Sequence, residues 1–358
     1  MAFYGAAKRI SVSMRLAATS TCSRHYSSSA TDPANLNLIK QLRERTSAPI
    51  KDVKAALVDS NWDIDAAQKE LRKKGKVLAS KKSSRTTSEG LLALAQTPSK
   101  AALIELNCET DFVARNDIFQ LLALSLAKRA LVLDDSSSSA TGGAFHVGPQ
   151  SLEDMTLNLE HPKISGETTV HNAITEVAAM MGENVRLRRG FVMPASSHGF
   201  ISTYLHTSPQ PGLGRIAGIL SLEVDNGKTQ VEAIQGVGSE LAMHIVAAKP
   251  LFLTKELVPS QALENEREIL KSQAEASGKS QMAVDKMVEG RLRKYIEEVV
   301  LMDQKFIIND TMSVKAVLDN LSKEVGSSVR VVNFLRMEVG EGITRQETDA
   351  SEPVAQVA

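Results

Sequence analysis

The chain has 358 residues with 42 basic and 42 acidic side chains, so its formal net charge is zero. Because domains commonly have about 100–200 residues, this length predicts two domains with extensions. No uninterrupted apolar run approaches the roughly 18 residues that cross a bilayer, and no Cys/His cluster has metal-ligand spacing, so neither a membrane partner nor a bound metal is expected.

Residues 1–29 have the composition of a transit peptide. The first 31 residues contain four basic side chains and no Asp or Glu, and in a helix the apolar residues would lie opposite Lys8 and Arg15. The segment Arg24-His25-Tyr26-Ser27 resembles a matrix-protease site with cleavage after the tyrosine. We expect import into the mitochondrial matrix, with the chloroplast stroma as the alternative because Ser/Thr enrichment suits both.

Residues 30–75 predict a small N-terminal module of three helices. Asp63 is the expected cap of the third helix and Gly75 is its expected end. Three short helices of this size resemble a ubiquitin-associated (UBA-like) bundle, which usually docks onto another protein. The apolar positions that predict the helices are Leu36, Ile39, Leu42, Ile50, Val53, Leu57, Ile64, Ala67 and Leu71.

Residues 76–98 are expected to form a linker and the entry to the core. Seven basic and no acidic residues lie between positions 72 and 85. Such a run indicates either a nucleic-acid-binding arm or a solvated linker. We favour the linker because no aromatic residues alternate with the charges to stack on bases.

Residues 99–197 predict a first α+β subdomain. A mostly apolar strand at 101–106, interrupted by Glu105, precedes turn-forming residues and a helix at 117–132. Asp111 and Phe112 lie in the connection. Either Asp111 caps the helix and Phe112 packs beneath it, or the strand end presents the carboxylate and the ring to another surface; the spacing leaves both open.

Residues 198–345 repeat this plan, so the predicted fold class is α+β with a duplicated core of two subdomains. The second half has a strand at 215–224 and a helix at 231–248. Each half closes with a helix, a glycine and a strand that begins with Val-Arg. These closing helices are expected at 169–181 and 314–325.

Residues 261–302 interrupt the second half and predict a helical coiled-coil hairpin. Apolar residues between 284 and 302 recur in steps of three and four, close to a heptad seam. Leu263, Ile269 and Leu270 are expected on the facing helix, with the turn at 277–279. Residues 134–149 predict a flexible surface insertion, and residues 346–358 predict a C-terminal tail.

No motif in the chain predicts an active site. Gly278-Lys279-Ser280 resembles the end of a phosphate-binding loop, but position 273 is Gln where that loop needs Gly. The run 212–217 fits a loose dinucleotide-binding pattern, yet it opens a strand where that motif must open a helix. We therefore expect a protein that is not an enzyme and binds no cofactor.

Five blocks of sequence resemble one known family. Asn107-Cys108-Glu109-Thr110-Asp111-Phe112-Val113 resembles the signature of elongation factor Ts, the guanine-nucleotide exchange factor for elongation factor Tu. The other blocks follow in the family's order, and the match runs from about residue 37 to residue 343. They are Leu42-Arg43-Glu44-Arg45-Thr46 and residues 242–250, 286–291 and 339–343.

The resemblance implies where a partner would be contacted. Asp111 and Phe112, flanked by Thr110 and Val113, would form a wedge that displaces GDP and Mg²⁺ from elongation factor Tu. The hairpin would add a contact, and no direct nucleic-acid binding is implied. The resemblance also places three further residues near the partner, namely Lys54, Arg43 and His244. From the residues alone, His244 is a half-buried structural histidine at the edge of the apolar stripe of helix 231–248.

Two hypotheses from other classes remain open. The first is an adaptor whose N-terminal bundle binds ubiquitin-like or helical partners. The second is an RNA-associated translation protein that uses the basic run at 72–85. Neither would accelerate nucleotide release, so a release assay separates both from an exchange factor.

Overall fold

The computed structural model describes residues 33–46, 48–134, 143–225, 231–275 and 280–344. Both helices and antiparallel strands are present over these residues, in separate runs along the chain, which confirms the predicted α+β class. The expected transit peptide with its cleavage site, the Ser/Gly-rich residues 135–142, the hairpin turn at 277–279 and the tail at 346–358 lie outside the described residues.

Three helices begin the described chain: α1 (Pro33–Thr46), α2 (Ile50–Asp59) and α3 (Ile64–Lys82). They enclose a small core of their own, in which Leu42 and Leu57 are fully buried. The predicted cap of the third helix is present, since Asp63 Oδ1 accepts hydrogen bonds from the N–H groups of Asp65 and Ala66 at 2.9 and 3.1 Å.

The first half of the body is a sheet covered by helices. Its largest core buries the apolar sides of two helices against strands, with Phe119 and Leu122 fully buried. The elements are β1 (Glu89–Thr97), β2 (Lys100–Cys108), α4 (Asp111–Ala114), α5 (Asp117–Ala130), β3 (Phe145–Val147), β4 (Thr156–His161), β5 (Ile164–Thr169), α6 (Val170–Met181) and β6 (Val185–Pro194).

The second half repeats the pattern around a smaller sheet. Its core lies between that sheet and two helices, with Leu220 and Leu241 fully buried. The elements are β7 (Gly199–His206), β8 (Leu213–Gly214), β9 (Ile216–Val224), α7 (Val231–Ala248), α8 (Ser260–Glu275), α9 (Gln281–Val299), α10 (Val314–Val325) and β10 (Val329–Glu338).

The two closing helices have the same end signals. Thr169 and Ser313 cap α6 and α10, since each hydroxyl accepts a hydrogen bond from the N–H three residues later, at 3.3 and 3.2 Å. Each helix ends at a left-handed glycine, Gly182 with φ 70° and Gly326 with φ 67°, a backbone conformation that other residues rarely adopt. Local sequence therefore sets these boundaries.

The predicted end of the third helix at Gly75 is wrong, because α3 continues to Lys82 and packs on α6. A Cβ atom on Gly75 would lie 3.0 Å from the Cβ of Ala179, so the glycine allows close helix contact instead of ending the helix. Glu176 of α6, 7% exposed, accepts from Arg72 and lies 3.6 Å from Lys76 Nζ. Residues 76–82 thus continue α3 as a helix that contacts the body through the buried Ala79, although Val77 and Leu78 are exposed, and the segment is not an extended linker.

Two further predictions need correction. The surface insertion does not extend to residue 149, because Phe145–Val147 pairs with β6 as an edge strand. In the hairpin, Leu270 is buried but the adjacent Ile269 is 52% exposed, since neighbouring helical residues point about 100° apart and only one can face α9. Met302 packs in the core of the second half and not in the hairpin.

The two sheets pack on each other through a third core. The strand orders of these two sheets are β3-β6-β2-β1-β8 and β10-β9-β7, and β4 and β5 form a separate two-stranded sheet, with antiparallel pairing throughout. The first sheet contributes Leu92, Ala101, Leu103 and Met193, and the second contributes Ala217, Ile219, Met337 and Val339.

Glu105 is a fully buried carboxylate at this junction. It accepts from Arg188 at 3.0 Å, from Arg189 at 2.6 Å and from the N–H of Gly340 at 2.8 Å. Burial by itself raises the pKa of Glu105, but the hydrogen bonds from Gly340 and Arg189 outweigh it and the pKa is lowered. Glu105 therefore forms buried ion pairs within the first sheet, and the N–H of Gly340 and the ion pair of Arg189 with Glu341 connect this cluster to the second half.

Candidate partner-binding site

The connection between β2 and α5, called here the Phe112 loop (residues 109–115), lies at the surface. Phe112 is 77% exposed, the largest value among the large apolar side chains of the described residues. It does not pack beneath α5, so the packing alternative considered for this ring is wrong. A single exposed apolar side chain is common on protein surfaces, and what distinguishes this one is how the backbone beside it is held.

Asp111 lies beside the ring and does not cap α5. Its Oδ2 accepts from Arg115 at 2.7 Å, with 41% of the carboxylate side chain exposed. Asn116 is the actual cap of α5, because its Oδ1 accepts from the N–H of Ile118 at 2.9 Å. The capping interpretation of Asp111 is therefore wrong, and its carboxylate is accessible next to Phe112.

Thr110 anchors the loop from one side. Its N–H donates to Glu183 Oε2 at 3.0 Å and its hydroxyl donates to Glu183 Oε1 at 2.7 Å. The thiol of Cys108 donates to the Thr110 carbonyl at 3.1 Å. Burial, together with the nearby charge of Glu183, raises the pKa of Cys108 to about 12, so the thiol keeps the proton that it donates.

The chain that follows α6, called here the Gly182 loop (residues 182–184), holds the neighbouring residue as well. Glu109 Oε1 accepts from the N–H of Asn184 at 2.7 Å, and Glu109 Oε2 accepts from Arg85 at 3.2 Å. The Asn184 side chain donates to the carbonyls of Ser83 and Arg85 at 3.0 and 2.8 Å. The Phe112 loop, the Gly182 loop and the end of α3 therefore form one hydrogen-bonded unit.

Val113 is only 7% exposed and packs in the core of the first half. It holds the loop from beneath, and its side chain is not accessible in this conformation, so its place among the contact residues stays a prediction. Of the four residues expected to form the wedge, Asp111 and Phe112 have accessible side chains, whereas the polar groups of Thr110 are engaged by Glu183.

Arg43 and Lys54 are both exposed, on α1 and α2 respectively. They belong to the N-terminal module with its separate core, whereas Phe112 belongs to the body. The structure therefore places these cations and the aromatic ring on different parts of the molecule.

His244 is fully buried and cannot touch a partner in this conformation. Its Nε2 lies 3.0 Å from Gln304 Oε1 and its Nδ1 accepts from the N–H of Ile307 at 3.2 Å. Burial lowers the pKa of His244, which matches a neutral ring that uses one nitrogen as donor and the other as acceptor. The expectation of a half-buried ring was wrong because the chain at 304–307 folds over it.

Sequence reasoning missed two groups of residues. Ile307 and Ile308, 48% and 50% exposed, form an apolar surface pair next to His244. Their only signal in the sequence is a short apolar run without helical or strand periodicity. Glu183 and Asn184 were missed because they lie 73 and 75 residues from their partners in the Phe112 loop.

The described residues contain no group of three or more His, Cys, Asp or Glu side chains that could hold a metal ion. Among the helices of the described ranges, none combines the length and the apolar content needed to cross a membrane.

The described chain is an α+β protein with three N-terminal helices, two sheets joined by a common core and a helical hairpin. Residues 109–341 match the protein family described as "Elongation factor TS". The chain is 75% identical over 324 residues to "Elongation factor Ts, mitochondrial" of Ricinus communis, covering 90% of this chain and 85% of the relative. It is 68% identical to the protein of that name from Arabidopsis thaliana, over 94% of this chain and 85% of the relative.

A bacterial relative shows the same likeness at lower identity. "Elongation factor Ts" of Paramagnetospirillum magneticum is 40% identical over 320 residues, which cover 89% of this chain and 95% of the relative. The chain belongs to the elongation factor Ts family. Its role is that of a translation elongation factor of the Ts type, and membership implies elongation factor Tu as its partner.

Proposed function

We propose that this chain is a guanine-nucleotide exchange factor for elongation factor Tu, acting by binding and without an active site of its own. It binds Tu in the GDP-bound and the nucleotide-free states and prefers the latter. By linkage, that preference weakens nucleotide binding by the same factor. The observation that carries the proposal is the exposed Phe112 ring on a loop whose backbone is fixed on both sides.

The wedge consists of Asp111 and Phe112. Phe112 enters an apolar slot of the partner, where burial of a Phe side chain stabilises a complex by about 1.5–3 kcal/mol. Asp111, already at the surface, makes polar contacts beside it. Because Glu183 and Val113 hold the loop before binding, little ordering entropy is lost when the ring is buried.

Contacts elsewhere keep the two proteins together while GDP leaves. Lys54 and Arg43 offer cations on the N-terminal module, and the hairpin of α8 and α9 extends a further surface. Ile307 and Ile308 offer an apolar pair. His244 contributes indirectly, by holding the backbone N–H of Ile307.

We place this activity in the mitochondrial matrix. The basic, acid-free leader supports import, and relatives from two plants carry the word mitochondrial in their names. Mass spectrometry of the protein recovered from mitochondria should find an N-terminus near Ser27. Recovery of an intact Met1 from the organelle, or of the processed protein from chloroplasts, would contradict this location.

The exchange proposal is tested by GDP release. Tu loaded with labelled GDP is mixed with catalytic amounts of the chain lacking residues 1–26, and release should accelerate in proportion to the factor. Binding without faster release would instead support an adaptor. Binding to RNA that weakens steeply as salt rises would support an RNA-associated protein.

A further inference from the structure

We infer that Glu183 is the positioning residue of the wedge: it sets the direction of Phe112 by binding Thr110 through both carboxylate oxygens. The inference rests on the proposed exchange function and names a residue that makes that function efficient. Glu183 itself neither carries the ring nor belongs to the Phe112 loop.

The helix that carries Phe112 is too short to orient itself. α4 spans only the four residues Asp111–Ala114, and its N-cap, Thr110, makes no side-chain capping bond. A single helical turn has little stability by itself because its nucleus is costly. The direction of α4 must therefore be set by contacts outside the helix.

Glu183 supplies that contact at the first residue before the helix. The N–H of Thr110 donates to one carboxylate oxygen at 3.0 Å and its hydroxyl donates to the other at 2.7 Å. Two bonds to one carboxylate fix both the position and the rotation of the Thr110 peptide. Hydrogen bonds to a charged acceptor are also stronger than neutral ones.

The carboxylate is itself held in place. The Gly182 loop is attached to the end of α3, since Lys82 donates to the Gly182 carbonyl and Asn184 donates to the carbonyls of Ser83 and Arg85. The orientation of the wedge is therefore fixed relative to the junction of α3 and α6, and not only relative to β2, the strand that precedes the wedge.

A double-mutant cycle separates positioning from general stability. Glu183→Ala should slow GDP release at limiting factor by about tenfold, the size expected when a charge-assisted contact is lost. In a Phe112→Ala background the same change should slow release by a much smaller factor, because only Asp111 is left to orient. Melting temperatures measured on the same preparations should show an equal effect of Glu183→Ala in both backgrounds.

Two variants serve as controls. Glu183→Gln should release GDP within about threefold of the unchanged chain, since its carbonyl accepts the Thr110 N–H and its amide donates to the hydroxyl. Glu167→Ala removes an exposed carboxylate from β5 and should leave release unchanged.

The outcomes distinguish the inference from the function on which it rests. Normal release by Phe112→Ala would refute the wedge itself. Slow release by Phe112→Ala combined with normal release by Glu183→Ala, or with equal slowing by Glu183→Ala in both backgrounds, would refute only the positioning role. If Glu183→Ala fails to fold, Thr110→Val removes one of the two bonds. This change should slow GDP release by a larger factor in the unchanged background than in the Phe112→Ala background, and normal release would overturn the inference.

Discussion

At the scale of single residues, Phe112 combines an exposed ring with a fixed backbone, and this combination makes a direct test possible. Because Phe112 is 77% exposed, removal of its ring costs the folded chain little packing. A loss of exchange can then be assigned to the partner complex and not to unfolding.

Phe112→Ala should slow GDP release at limiting factor by roughly one to two orders of magnitude, since ~1.5–3 kcal/mol of burial is lost and each ~1.4 kcal/mol is tenfold. The melting temperature should stay unchanged. Asp111→Ala should also slow release, and the double variant should lose less than the sum because both residues act at one site. Val132→Ala, which trims another exposed apolar residue, is the matched control.

His244 should give the protein a pH-dependent stability. Its pKa is lowered from 6.5 in the folded state, so the unfolded chain binds the proton more readily. The stability is fully present above pH 6.5 and is lost as the pH falls below it. The melting temperature should therefore drop between pH 7 and about pH 5. In His244→Gln this slope should shrink, whereas the exposed His171→Gln should keep it; equal slopes in all three would contradict the assignment.

At the scale of elements, α3 belongs to both the N-terminal module and the body. Deleting residues 1–62 removes α1 and α2 but leaves the contacts of α3 with α6. Deleting residues 1–82 removes these contacts, takes Ala79 from the core of the first half and uncovers Glu176, whose ion-pair partners Arg72 and Lys76 both belong to α3.

The shorter deletion should keep the melting temperature of the body within a few degrees, whereas the longer one should lower it by several degrees. The reason is that the apolar area between α3 and α6 becomes exposed to water, which costs about 25 cal/mol per Å², and about 2–4 °C is lost per kcal/mol at this size. Scanning calorimetry of both truncations tests this, and equal melting temperatures would show that α3 does not support the body.

The hairpin should be removable if the cut respects the second core. Leu301 is fully buried there and the Val299 carbonyl accepts from Leu251 and Phe252, so only residues 262–297 should be replaced by a short turn. The hairpin's own apolar seam is a separate cluster, and the body should therefore melt normally. GDP release should weaken without vanishing; unchanged binding and release would show that the hairpin makes no contact.

Local signals explain which elements the sequence predicts well. The bounds of α7 and α10 match their predicted bounds, because both have amphipathic stripes and α10 also has a hydroxyl cap and a final glycine. The helix end predicted at Gly75 is wrong because a glycine occurs both at helix ends and at close contacts between helices. Only the position of Ala179 decides between the two. The contacts of Glu183 and His244 join residues that are 73 and 63 positions apart in the sequence. The periodicity of apolar residues carries no information about contacts between such distant positions.

At the scale of the whole molecule, Glu105 is the centre of a buried ionic cluster in the first sheet, which the N–H of Gly340 connects to the second half. Glu105→Gln leaves Arg188 and Arg189 without their counter-charge, which should cost about 3 kcal/mol, the low end for a broken buried pair because both arginines are 24% exposed. Since the pKa of Glu105 is lowered from 4.5, its stabilisation is present above that pH and is lost as the pH falls.

Unfolding in urea should therefore separate the variant from the unchanged chain at pH 7 and bring the two together in acid. Glu223→Gln is the matched control, since its partner Arg330 is 64% exposed and surface pairs contribute little. A variant as stable as the unchanged chain at pH 7 would show that the buried ion pairs of Glu105 do not stabilise the folded chain.

The third core has a consequence for how a partner is chosen. Phe112 belongs to the first half and Ile307 to the second, and the apolar residues shared by the two sheets keep the halves in one arrangement. In the proposed complex the two apolar contact groups, Phe112 on the first half and Ile307 on the second, are therefore held at one fixed distance from each other. A partner that has apolar binding sites for both groups at that distance binds the second group at a high effective concentration once the first group is bound. A partner whose two binding sites lie at another distance binds only one group at a time, so the distance between the two groups becomes a criterion of recognition.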